Sequence, residues 1–214
     1  PSVRQMNAAN PLIRRLLEDL KALAGKPVVV TGMIKIRGQI DVESFVPRKK
    51  NTLDLFVMSL CSYGKKAQRA VIDFLAASPS ENKPALDIRY IFYRKQDGDE
   101  VTYSALHGEP EIVENLVQMA IRDKHPAFLN PYLLRRAGSE GPWEMLAAEV
   151  GMDQAAIDTV KAEITINRDK MIEREYKYAA SLGVFDGSPT FVWESVKTGN
   201  ITRVPAFEGL DLSK

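Results

Sequence analysis

The segment that most restricts the fold of this chain lies between residues 53 and 94. Leu53-Asp54-Leu55-Phe56-Val57-Met58 is short, mostly apolar and rich in β-formers, the pattern of a buried central strand. Behind it, Ala67, Ala70, Val71, Phe74 and Leu75 recur at helical spacing, with Lys65, Lys66, Gln68, Arg69 and Asp73 between them. Ser78 to Pro84 is a loop by composition. It leads to Ala85–Arg94, where Leu86, Ile88, Tyr90 and Phe92 alternate as one face of a second strand. Two apolar strands joined through a helix form a parallel pair with a right-handed crossover. The chain is thereby committed to an α/β architecture built on a β-α-β unit.

The flanking sequence supplies the rest of the order. Leu12, Ile13, Leu16, Leu17, Leu20 and Leu23 form one stripe of an amphipathic helix over 11–24, started at Asn10-Pro11 and stopped by Gly25 and Pro27. Val28–Thr31 and Met33–Arg37 read as extended, and Arg48-Lys49-Lys50 as a solvated linker. Residues 1–50 are therefore expected to be an N-terminal helix and strand extension, and 51–214 the main domain. After the β-α-β unit, proline, glycine and capping residues punctuate five helices. These run from Pro110 to about Lys124, from Pro131 to Arg136, from Pro142 to Gly151, from Asp153 onward, and from Asn167 to Gly183. Thr190–Glu194, a turn at Lys197-Thr198-Gly199-Asn200, and Ile201–Val204 then read as a β-hairpin. The expected order is β-α-β, a helical insertion over about 108–183, and a β-hairpin.

Composition narrows the function. Lys and Arg number 29 against 28 Asp and Glu, a net charge of +1, so no global field recruits nucleic acid. No apolar stretch reaches the ~20 residues of a membrane span. A single cysteine, Cys61, excludes an internal disulfide framework and any zinc site built on several cysteines of this chain. His107 with Glu109 and Glu111 suggests a metal or acid–base group but reads more simply as a helix start with surface carboxylates, and Trp143 and Trp193 read as packing anchors. A first residue Pro1 and no apolar leader are expected of a processed product or a fragment.

Two features carry chemistry. Cys61 falls just after the predicted buried strand and at the start of a helix, where unpaired N–H groups and the helix dipole favour a thiolate. A small buried side chain and a reactive thiol are both open readings of that position. Ser188-Pro189-Thr190 stands at the mouth of a strand after Gly187, where a proline reads either as a trans edge residue or as a cis residue shaping a site.

Taken together, Leu53 to Gly64 resembles the strand–CxxC–helix segment of thioredoxin-fold proteins of the DsbA-like class. Leu182-Gly183-Val184 with Gly187-Ser188-Pro189-Thr190-Phe191 resembles that class's cis-proline loop, and Leu106-His107-Gly108-x-Pro110-Glu111 the start of its helical insertion. The resemblance spans about residues 53–204. It implies a thioredoxin-like fold and a nucleophilic Cys61 thiol beside a cis Pro189. It also implies a Ser188 backbone offered to an extended peptide or to glutathione, with Ser62, Tyr63 and Gly64 completing the site.

The departures set the chemistry. The second motif position is Gly64, and Ser62 stands where a proline is frequent, so the motif reads Cys61-Ser62-Tyr63-Gly64. A dithiol cycle releases its mixed disulfide through a second thiolate, which this chain lacks. A monothiol route stays open, with glutathione or a partner cysteine as resolving thiol and protein or peptide thiols and disulfides as partners. Two rivals also stay open. One is a redox-inactive peptide-binding or scaffold module. The other is a protein resembling the kappa-class glutathione transferases, in which Ser59 or Ser62 orients the glutathione sulfur. The resemblance leans towards the cell envelope, whereas a lone cysteine also suits a reducing cytoplasm. Few residues follow the hairpin, so the 11–24 helix or a second copy in a homo-oligomer is expected to cover the sheet.

Overall fold

The computed structural model describes residues 21–34, 40–79, 83–185 and 187–212. The chain divides into two compact units, Pro1–Lys50 and Asn51–Lys214. In the first, β1 (Val28–Ile34) pairs antiparallel with β2 (Ile40–Pro47), with a register shift between Thr31 and Gly32. The helix expected over 11–24 lies outside the described residues as far as Leu20. β2 was not anticipated, because Ile40 and Val42 alternate with acidic residues over too short a run to signal a strand.

The second unit carries the β-α-β element. β3 (Thr52–Val57) runs parallel to β4 (Ala85–Tyr90), with α1 (Ser62–Ala77) between them. On the other edge of β3 lies antiparallel β7 (Thr190–Trp193), followed by β8 (Val196–Thr198), giving the sheet order β4-β3-β7-β8. Central β3 is buried on both faces. Leu53, Leu55 and Val57 pack into the large core that includes Val71 and Leu75 of α1, while Phe56 joins Met58, Ile91, Ala179 and Val192 on the opposite face. Each such side chain contributes about 1.5–3 kcal/mol by leaving water. A parallel β-α-β unit, a helical insertion and an antiparallel hairpin on one sheet make the thioredoxin-like fold.

Four expectations need correction. The strand over 85–94 ends at Tyr90, where Ile91 N–H donates to Val57 O (3.1 Å). The chain then leaves the sheet for a separate hairpin of β5 (Tyr93–Asp97) and β6 (Glu100–Ser104), turned at Gly98, φ 58°. The insertion holds α2 (Glu109–Lys124), α3 (Leu129–Ala137), α4 (Trp143–Glu149) and a single α5 (Gln154–Ser181) of 28 residues. Asn167 does not start a new helix, since no glycine or proline accompanies it and a cap residue alone does not end a helical run. Asp153 does cap: its side chain accepts Ala156 N–H at 2.8 Å. Finally, the last hairpin turns at Glu194-Ser195, both left-handed (φ 49° and 70°), and not at residues 197–200. Two positive φ values match the twist of the flanking strands, but no glycine marked them.

Ile201–Arg203 and Pro205–Phe207 form 3₁₀ turns in place of the expected strand. Ile201, Phe207 and Leu210 are buried in the larger core, with the Phe207 ring 6.0 Å from Phe74 and 5.5 Å from Trp193. Within this unit the tail itself closes the α1 side of the sheet. Among the described residues, no helix is long and apolar enough to cross a membrane.

Candidate thiol site

Beyond the end of β3, four consecutive backbone N–H groups are held before the helix begins. Met58 N–H donates to Ser188 Oγ (2.9 Å), Ser59 N–H to Asn115 Oδ1 (3.3 Å), Leu60 N–H to Glu111 Oε1 (3.0 Å), and Cys61 N–H to Met58 O (2.9 Å). Cys61 is the N-cap of α1, with φ −69° and ψ 125°, and Lys65 N–H donates to its carbonyl at 3.0 Å. Its side chain makes no capping bond. The thiol is half-buried and donates instead to Ser188 O at 3.6 Å.

Ser188 precedes a cis peptide bond to Pro189. Gly187 adopts φ 82°, and its carbonyl accepts the Thr190 hydroxyl at 2.7 Å, which anchors the loop to the start of β7. Cys61, Gly64 and Ser188 therefore converge, with Pro189 half-buried alongside Ser188. Ser62 is exposed, and Tyr63 turns outward with 71% of its surface in water. Ser59 is only 1% exposed, so of the two serines considered for a glutathione sulfur, Ser62 alone is accessible.

The site holds residues that sequence reasoning missed. Glu111, expected at the surface, is 0% exposed. Besides Leu60 N–H, it accepts His107 N–H at 3.1 Å and faces His107 Nδ1 at 2.9 Å. Gly108, at φ 73°, bends the chain into α2 so that the first turn faces inward. Glu111 and Asn115, four apart, share one face of the start of α2, and His107 meets Glu111 from the turn that precedes Gly108. That spacing was the available signal. Ser59 Oγ and Asn115 Nδ2 are buried and make no hydrogen bond among the described residues.

A second polar cluster lies at the other end of α2. Glu175, also 0% exposed, accepts Arg122 Nη1 (3.0 Å), Arg122 Nη2 (3.1 Å), Arg89 Nη1 (3.3 Å) and Tyr90 N–H (3.1 Å). Asp54 on β3 accepts the Tyr178 hydroxyl at 2.9 Å, and Arg89 lies over the Tyr178 ring at 4.6 Å. Burial pushes the Tyr90, Tyr132 and Tyr178 phenols above their ordinary range, and neighbouring carboxylates push them further. Burial opposes the charge on Arg122, but the Glu175 carboxylate outweighs it and raises that pKa too.

Grooves form elsewhere. One of about 540 Å³ is lined by Ile72, Leu75, Pro84, Leu86, Pro131 and Leu134. Another of about 420 Å³, between the β5–β6 hairpin and α5, includes Arg94, Tyr103 and Tyr176. Neither is lined by Cys61.

No family model and no curated protein matches the sequence. Among solved structures, the chain is similar to a thioredoxin-like oxidoreductase from Silicibacter pomeroyi DSS-3, at 17% identity and a TM-score of 0.47, covering 82% of this chain and 83% of that one. It is similar to the thiol-disulfide exchange protein alpha-DsbA2 from Wolbachia pipientis, at 12% identity and a TM-score of 0.47, covering 86% and 83%. It is also similar to ScsC from Proteus mirabilis, at 14% identity and a TM-score of 0.45, covering 86% and 70%. The thioredoxin-like fold itself rests on the strand order and strand directions of this chain.

Proposed function

We propose that the chain belongs to the thiol–disulfide class and works through one sulfur. The Cys61 thiolate attacks a disulfide of a protein, a peptide or oxidised glutathione. The attacked S–S bond breaks, one of its sulfurs leaves as a thiolate, and the other stays on Cys61 as a mixed disulfide. A thiol from outside the chain, glutathione or a partner cysteine, then releases it. The observation that carries this reading is the placement of a half-exposed Cys61 at the N-cap of α1, 3.6 Å from Ser188 O beside the cis linkage. Supporting it, the N–H groups of the preceding loop are all engaged, so the thiol stands on a fixed base.

The test is covalent capture. Incubation with oxidised glutathione should add one glutathione per folded chain, seen by intact mass and reversed by excess reduced thiol. Cys61→Ser should add none. A wild-type thiol that reacts no faster in the folded protein than in the unfolded chain would count against the reading.

The redox-inactive alternative draws on a separate observation. Tyr63, Leu106 and Phe185 are large apolar side chains exposed at 71%, 60% and 54%, each within a few residues of a site residue. Peptide retention by Cys61→Ser, without covalent capture by the wild type, would favour it.

A further inference from the structure

The residue three positions beyond Cys61, where a dithiol motif carries its second sulfur, is Gly64, and it is buried. A Cβ built on Gly64 would stand 2.5 Å from Ser188 Oγ, 3.1 Å from Met58 O and 3.3 Å from Val57 Cβ. The first contact decides, because real Cβ atoms do not approach a neighbour so closely. Ser188 Oγ is held in place by the Met58 N–H it accepts at 2.9 Å, one residue beyond the β3 ladder. Moving that hydroxyl aside would break this bond and leave a half-buried N–H without its partner. The two further contacts, one to backbone and one to the β3 wall, leave little room to retreat.

We infer that Ser188 fills the space the β-carbon of a resolving cysteine would need, so that the site is single-thiol by packing as well as by composition. Taken with the function proposed above, on which this consequence rests, the thiol that frees a partner from Cys61 has to come from another molecule. Ser188 is thus a positioning residue. Its hydroxyl ties down the loop before the nucleophile, and its bulk closes the route to an internal disulfide.

The experiment compares Gly64→Cys with Gly64→Cys/Ser188→Gly, each oxidised by an azodicarboxamide. Closing the 61–64 disulfide removes two electrons and two protons from the thiols, and the reagent accepts both as it becomes a hydrazine. Disulfide formation is read by unfolding, alkylation and mass. The single variant should close at least about tenfold more slowly than the double variant, and the double variant should lose both thiols. Equal closure rates overturn the inference. If Gly64→Cys fails to fold, Gly64→Ala serves in its place. It should lower the melting temperature by ~4 °C in the wild-type background and by less than half of that in Ser188→Gly. An equal loss in both backgrounds likewise overturns it. Glutathione capture by the wild-type chain, measured in parallel, tests the function independently of the 64–188 coupling.

Discussion

Glu111 and Glu175 are both fully buried carboxylates, and both touch α2 or its neighbours, yet they are held in different ways. Glu175 is met by two guanidinium groups, Arg89 and Arg122, which place positive charge directly against it. Glu111 is met by two backbone N–H groups and by His107, whose side chain is 41% exposed. The first arrangement ties β4, α2 and α5 together through the core. The second fixes the short loop that ends in Cys61. A buried carboxylate can therefore brace a fold or brace a site, and its partners distinguish the two.

The sharpest way to break this comparison is Glu175→Ala. It takes from Arg89 and Arg122 the fully buried carboxylate they share, leaving Asp87 and Asp54 beside the first and Asp123 beside the second, and should cost up to about 3–5 kcal/mol, read as a lower urea midpoint and faster amide exchange across the whole sheet. Glu111→Ala should cost less, about 1–3 kcal/mol, with the increase in exchange confined to Leu60, His107 and their neighbours. Global opening in the Glu111 variant would mean that both carboxylates serve the fold.

Alkaline titration sharpens the contrast further. Because Tyr90, Tyr132 and Tyr178 have raised pKa values when folded, the stability they contribute is fully present below about pH 10 and is lost as the pH rises beyond it. Each should add ~1.4 kcal/mol per pH unit to that slope. Tyr178→Phe should make it shallower by one proton, while Glu111→Ala should leave it unchanged. The smallest effect is expected from His107→Phe, which removes one side-chain hydrogen bond worth about 0.5–1.5 kcal/mol and should be visible mainly as faster exchange at Leu60.

The parts of the fold legible in the sequence were those where one local rule sufficed. Leu53–Val57 is mostly apolar and buried on both faces because it is the central strand, and Asp153 announced a helix start that its carboxylate fulfils. What escaped notice depended on contacts distant in sequence. Glu194 and Ser195 take left-handed turn conformations, and Glu194 Oε1 accepts Asn51 N–H (2.8 Å) across 143 positions. At the thiol, Cys61, Ser188 and Pro189 could be named from two short motifs, but their grip on one another could not. Glu111 and Asn115 looked like polar residues of a solvated helix, because nothing local shows that the loop before Cys61 lies against them. Gly64 reads from the sequence as a missing sulfur and as part of the site, but its contact with Ser188, 124 residues away, has no local signal.

One helix bears on both halves of the comparison. α2 carries Glu111 and Asn115 near its start and Arg122 near its end. Over 16 residues it is a rod of roughly 24 Å. Its near end props the loop that presents the sulfur, and its far end is riveted to α5 through Glu175. On the function proposed above, a molecule joined to Cys61 would pull on a loop pinned to a strut that is itself anchored deep in the scaffold.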